Sequence, residues 1–196
     1  MIQIHTLTLG LYQTNCYIVH KEGSKSCVVI DPGYDANTIL GRAALLGLQI
    51  EAILLTHGHF DHVGAVAALA ADTDCLVYLK EEELSLPAAM TAGPLFYTNL
   101  YESTGALSVA GMEFRVLHTP GHTPGSVCLM VEDTIFSGDT LFAGSMGRCD
   151  FPGSNIFDMR KSMKKLRDLP GDYRVFPGHA EDTTLEFERK TNPYLR

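Results

Sequence analysis

Over the opening of the chain, apolar and polar positions fall into short runs rather than long stripes. Residues 2 to 9 (IQIHTLTL), 13 to 20 and 26 to 30 (SCVVI) are β-branched or apolar stretches separated by turn-forming residues. That pattern predicts an N-terminal antiparallel meander, closed by Asp31-Pro32-Gly33. From Asp35, a residue suited to cap a helix, Ile39, Leu40, Ala43, Ala44 and Leu46 make a helical stripe that Gly47 stops. A buried strand is expected at 52 to 55, a helix in the Ala-rich stretch from Val63 to Ala71, and a strand at 76 to 79. Residues 85 to 105 carry Pro, Gly and Ser without a clear period and read as a loop in which a helix is left open. Strands are then expected near 107 to 109, 112 to 118, 126 to 131 and 134 to 137, followed by a helix at 155 to 168, a strand at 173 to 176 and a helix at 181 to 190.

Strands thus precede helices in two successive batches. Sheets with helices on their outer faces are the arrangement that covers such strands, which makes the fold class α+β. A length of 196 residues suits one sizeable core, so residues 1 to 196 are expected to form a single domain. The sequence shows no internal repeat and no low-complexity linker.

Charge and composition narrow the partners. The net charge of -8 argues against a phosphate backbone, which is bound by clusters of Lys and Arg that displace counterions. The one dense positive run, Arg160 to Arg167, lies where Ile156, Met159, Met163, Leu166 and Leu169 recur at helical spacing, so it reads as a solvated helix face. Cys16, Cys27, Cys75, Cys128 and Cys149 are odd in number and form no CxxC pair, which suits reduced thiols. With no leader-like segment and no apolar run of about 18 residues, the expectation is a cytoplasmic protein that acts on a small molecule and binds neither membrane nor nucleic acid. The oligomeric state is left open.

The chemistry concentrates in THGHFDH at residues 56 to 62, where His57, His59, Asp61 and His62 fall within seven positions. Imidazole and carboxylate are the donors of zinc, iron and manganese sites, and the lack of CxxC argues against a structural thiolate zinc. The motif follows an expected strand, so the sheet can fix where its side chains start. His122 in HTPGHTPGS, Asp139 in FSGDT and His179 in FPGHAED also follow expected strands. Taken singly, each of these three is as compatible with an ordinary loop residue as with a ligand.

Together the motifs resemble the metallo-β-lactamase superfamily, whose HxHxDH stands here as His57, His59, Asp61 and His62. The resemblance runs from VVIDPG through GHTPGS and SGDTLF to FPGH, in the family's order. It implies a four-layer αβ/βα sandwich, two mixed β-sheets flanked by helices, with the site at one edge. It implies two divalent metal ions, zinc foremost with iron or manganese as alternatives, one held by His57, His59 and His122 and the other by Asp61, His62 and His179. Asp139 would bridge them, Asp61 and Asp139 would serve catalysis, and Asp31 would support the site from outside the ligand set. GSMGRCDFPGS and TTLEFERKTNPYL are similar to the glyoxalase II-like branch, the hydroxyacylglutathione hydrolases, in a short form without the C-terminal helical domain. That likeness implies thioester hydrolysis by a metal-bridging hydroxide, with Arg148 near the substrate. For Arg148 a structural salt bridge to Asp150 is an equal alternative. Two other enzyme readings stand beside it: a persulfide dioxygenase-like oxygenase using one iron on His57, His122 and Asp139, and a hydrolase of another ester or lactone.

Overall fold

The computed structural model describes residues 1–196 apart from Ser103 and Thr104. The expected meander forms as β1 (Ile2–Leu9), β2 (Thr14–Lys21) and β3 (Ser26–Ile30), paired antiparallel in that order. Helix α1 (Ala36–Leu45) then carries the chain to β4 (Gln49–Leu54), parallel to β3. After α2 (Phe60–Val63) and α3 (Val66–Thr73) comes β5 (Leu76–Leu79), and after a 3-10 turn at Glu81–Ser85 and α4 (Ala88–Thr91) comes β6 (Asn99–Leu100). Both strands add in parallel, completing a mixed sheet in the order β1-β2-β3-β4-β5-β6.

The second sheet starts as another meander, β7 (Ala106–Val109), β8 (Met112–His118), β9 (Val127–Val131) and β10 (Thr134–Gly138). A small hairpin follows, β11 (Leu141–Phe142) with β12 (Ser145–Met146). Helix α5 (Ile156–Arg167) leads to β13 (Arg174–Pro177), parallel to β10, and β14 (Thr183–Thr184) and α6 (Leu185–Thr191) follow. The order is β14-β13-β10-β9-β8-β7, so the architecture is α+β with two mixed sheets flanked by helices, as the family resemblance implied.

Alternation along the strands builds the layers, because successive side chains leave opposite faces of a sheet. On β2, Tyr17 and Val19 enter the core between the sheets, whereas Cys16 and Ile18 face the layer of α1 and α3. On β10, Phe136 enters the central core, where Tyr17 and Phe176 lie at 5.1 and 5.6 Å, and Ile135 faces the side of α5. Strands buried on both faces read as continuous apolar runs, which is why VCLMV in β9 lacks a polar face.

Two expectations are corrected. The helix read across Val63 to Ala71 begins earlier, as α2, and breaks before α3, because Gly64 lies against the Gly33 carbonyl and Ala65 donates to the Pro32 carbonyl at 2.9 Å. The helix expected at 181 to 190 starts only at Leu185: Thr183 and Thr184 pair with β13, and the Thr184 hydroxyl caps the helix by accepting from the Phe187 N–H. Within 85 to 105, α4 and β6 are too short to leave a period in the sequence, and the part of that loop at 103 to 104 lies outside the described residues. The expected helix at 155 to 168 holds as α5, with Met159, Met163 and Leu166 buried and Arg160, Lys161 and Lys164 in solvent.

Candidate metal centre

Strands β4, β8, β10 and β13 all end at the same edge of the sandwich, and the loops that leave them bring the predicted residues together. His57 and His59 follow β4, Asp61 and His62 open α2, His122 follows β8, Asp139 follows β10 and His179 follows β13. Two links tie the sheets at this edge: Val127 donates to the Thr56 carbonyl at 2.9 Å, and Thr14 bridges to His179 while Asn15 donates to the Gly178 carbonyl at 2.8 Å.

Ligand-type atoms gather into two main groups. Those of His57, His59 and His122 lie within 4.8 Å of one another, and so do those of Asp61, His62 and His179. Asp139 stands between the groups. Its Oδ2 is 3.4 Å from His122 Nε2 and 3.6 Å from His179 Nε2, and its Oδ1 is 3.4 Å from His62 Nε2. Only a glycine at 178 allows this approach, since a Cβ there would fall 2.2 Å from Asp139 Oδ1 and 2.7 Å from His62 Cε1.

The imidazoles are oriented from behind. His122 Nδ1 meets the Arg148 carbonyl at 2.8 Å, His179 Nδ1 the Tyr12 carbonyl at 3.1 Å and His62 Nδ1 the Asp31 carboxylate at 2.9 Å. His57 Nδ1 is 3.1 Å from the Thr56 hydroxyl, which itself donates to Asp31 at 2.6 Å and so accepts from the ring. With Nδ1 engaged in these four rings, Nε2 is the nitrogen offered to a cation. His59 is turned the other way, with Nδ1 2.9 Å from His122 Nε2. Asp31 also falls within metal-ligand distance of His57 and His62, but its oxygens already accept from Thr56 N–H, the Thr56 hydroxyl and His62.

Buried atoms left without partners test whether a metal fits. His57 Nε2, His59 Nε2 and Asp139 Oδ1 are buried and have no hydrogen-bond partner. Such atoms are costly in a folded interior unless something satisfies them; divalent cations would do so for His57 Nε2 and Asp139 Oδ1, whereas His59 presents Nδ1, not its unpartnered Nε2, to His122.

Proton affinities divide along the same line. Burial, reinforced by His62, His59 and His122, pushes His57 well below the ordinary imidazole range, and burial with His122 and His62 brings His59 to about 4. Burial also lowers His122 despite the pull of Asp139. These rings are neutral donors at physiological pH. Burial opposes a proton on His62 as well, yet Asp139 and Asp31 outweigh it and raise the ring to about 9. Asp61 is destabilised as an anion by burial, but the hydrogen bond from His179 and the charge of His62 hold it far below the usual carboxylate range. A cation arriving at the second group therefore displaces protons.

A cleft of about 570 Å³ opens over these residues, walled by Tyr12, Phe60, Met90, Phe142 and Phe151. Arg148 lines it too, with Nε and Nη2 bound to Asp150 at 2.9 and 2.8 Å and its guanidinium 4.3 Å from the Phe151 ring. Both readings of Arg148 thus meet in one place: it is salt-bridged and it faces the cleft. His118 bonds the Pro124 carbonyl at 2.9 Å and closes the His122 loop, and His5 stacks on His20, far from the chemistry. The aromatic wall, Thr56 and a buried Glu83 were not singled out from sequence. Glu83 stands in an acidic triplet that reads as solvated surface, while Thr56 carried a signal in its position before the His motif.

Comparison with known proteins agrees with this geometry. The sequence matches the metallo-beta-lactamase superfamily over residues 9–179, and the chain belongs to that family. It is 31% identical to the hydroxyacylglutathione hydrolase GloC of Haemophilus influenzae, over 99% of this chain and 98% of that protein. Among solved structures it is similar to the BLEG-1 B3 metallo-beta-lactamase, with 36% identity, a TM-score of 0.88 and coverage of 100% and 99% of the two chains. It is also similar to TTHA1623 in a di-iron-bound form, with 40% identity, a TM-score of 0.83 and coverage of 97% and 100%. The chain is a metal-dependent hydrolase of this superfamily with two candidate metal-binding clusters. No helix among the described residues is long and apolar enough to cross a membrane.

Proposed function

We propose that the chain hydrolyses thioesters of small acyl groups at a two-metal centre, with His57, His59 and His122 holding one ion, Asp61, His62 and His179 the other, and Asp139 shared between them. The observation that carries this reading is the position of Asp139, whose carboxylate faces His122 on one side and His62 and His179 on the other. Two bound divalent ions would supply Lewis acidity and a water whose pKa falls from 15.7 toward ~7. Zinc suits these donors, and the di-iron relative supports iron as an alternative.

The protein's own groups do the rest. Asp61, held ionised and reached by the Thr14 hydroxyl at 3.3 Å, orients the attacking water and accepts its hydrogen bond. Tyr12, Phe60, Phe142 and Phe151 exclude solvent around the acyl group and strengthen every polar contact inside the cleft. Arg148 gives its Nε and one Nη2 hydrogen to Asp150, and its other N–H groups would serve an anionic part of the substrate. A thiolate leaves without a dedicated acid, so a thioester asks less of these residues than an amide or lactam. The similarity to a hydroxyacylglutathione hydrolase supports the same substrate class. Free thiols at all five cysteines support a reducing compartment such as the cytoplasm.

The test is turnover of S-lactoylglutathione, uncharged acyl thioesters and a β-lactam by protein of measured metal content, beside Asp139→Ala. The expected outcome is thioester hydrolysis that Asp139→Ala lowers by more than the ~10- to 100-fold typical of losing an outer partner of a metal ligand. Equal activity of the variant would remove Asp139 from the centre. One iron per chain, with oxygen consumed on a persulfide, would replace the hydrolase by an oxygenase.

A further inference from the structure

Glu83 is a buried ionisable group that the reaction leaves unused. It sits in the 3-10 turn after β5, fully buried, with its backbone pinned by the Lys80 carbonyl at 3.0 Å. Its Oε2 accepts from the Gly58 N–H at 2.5 Å, and its Oε1 accepts from the Gly125 N–H at 2.6 Å. Gly58 lies between His57 and His59, and Gly125 lies in the loop of His122. One carboxylate therefore spans the two loops that supply the first histidine triad. Those loops leave different sheets, and at their bases the Val127 N–H bond to the Thr56 carbonyl joins them.

Glycine at both contacts fits this use. A Cβ on Gly125 would stand 2.8 Å from Cγ and Oε1 of Glu83, and one on Gly58 would stand 3.1 Å from Oε2 and 2.9 Å from the Leu95 side chain. The main chain of each loop can approach the carboxylate only where the side chain is absent. Both oxygens act as acceptors, and the ionised form does so with no proton competing for either amide.

We infer that Glu83 is a positioning residue, a carboxylate clamp that sets the separation of the His57–His59 loop from the His122 loop and so the geometry of the first triad. The inference rests on reading these loops as metal-binding. Glutamine keeps the size but presents an NH₂ to one of the two N–H donors, so one bond is lost and two donors face each other.

Cobalt(II) titration followed by the visible d–d bands tests it on the full chain. Wild-type protein that takes up no cobalt would refute the metal reading itself. With cobalt bound, Glu83→Gln is expected to weaken the affinity at the first triad by ~10- to 100-fold and to shift its bands, the size of effect seen when outer partners of metal ligands are lost. Ile39→Ala, a core variant on α1, serves as the control: it lowers thermal stability in the helix layer of the first sheet, away from α5 and the His122 loop, so its bands and affinity stay those of the wild type. Glu83→Gln with wild-type affinity and bands would overturn the clamp. Should the glutamine variant fail to fold, Glu83→Asp, too short to reach both amides, carries the same expectation. Proton exchange at Gly58 and Gly125 in the wild-type zinc form decides independently of any variant: protection supports the clamp, and exchange as fast as in an exposed loop overturns it.

Discussion

Asp31 shows how much one carboxylate can organise. It ends β3 in a left-handed conformation, φ 49°, and accepts from Thr56 N–H, the Thr56 hydroxyl and His62 Nδ1. His62 and His57 are thereby fixed through one anchor, the first directly and the second through Thr56. Asn tolerates that backbone, so Asp31→Asn isolates the chemistry from the turn. An amide nitrogen cannot accept, and the variant is expected to bind zinc ~10- to 100-fold more weakly at the His62 group, read by competition with a chromogenic chelator. Unchanged affinity would leave Asp31 as a turn residue alone. At this scale His57, His59, Asp61 and His62 stood out by their density within seven positions, whereas His122, Asp139 and His179 were singled out as ligands only by the family resemblance. Asp31 was legible only through the family resemblance. Glu83 was not legible at all, because its two partners lie 25 and 42 positions away and are backbone amides that no side-chain pattern records.

Helix α5 illustrates what elements contribute. Asn155 caps it by accepting from the Phe157 and Asp158 N–H groups, and the Asn155 N–H donates to the Gly121 carbonyl at 2.8 Å. Gly121, at φ 147°, lets the loop before His122 lie on the helix, since a Cβ there would be 2.4 Å from Met159 Cα. The same helix that covers the outer face of the second sheet thus props a histidine. Gly121→Ala is expected to lower the melting temperature and the metal affinity together, because backbone on both sides must separate. Calorimetry of zinc-loaded and zinc-free protein checks this: a destabilisation confined to one form would uncouple the helix from the site. The helix itself was visible in its apolar period. Its contact with the loop was not, and neither was the hairpin β11–β12, whose two-residue strands are shorter than any period.

For the molecule as a whole, the two-sheet sandwich was legible from the order of strands and helices, whereas the strand order within each sheet was not, since parallel neighbours such as β10 and β13 are distant in sequence. The net charge of -8 acts at this scale. A thioester that carries carboxylates approaches a repelling field, and salt shortens that field to about 10 Å at 0.1 M. Raising ionic strength from low to physiological is therefore expected to lower KM for S-lactoylglutathione and leave an uncharged thioester unchanged. A KM that rises with salt would instead show local attraction at Arg148 prevailing.

The bridge from Thr14 to His179 joins nearly opposite ends of the chain at the metal centre. During synthesis, residues 57, 59 and 122 all exist well before residue 179 does, so the first histidine triad has every member while the second still lacks one. Translation itself then sets a calendar for the two clusters: the first can recruit its ion on a growing chain, and the second must wait for β13 to be made and docked.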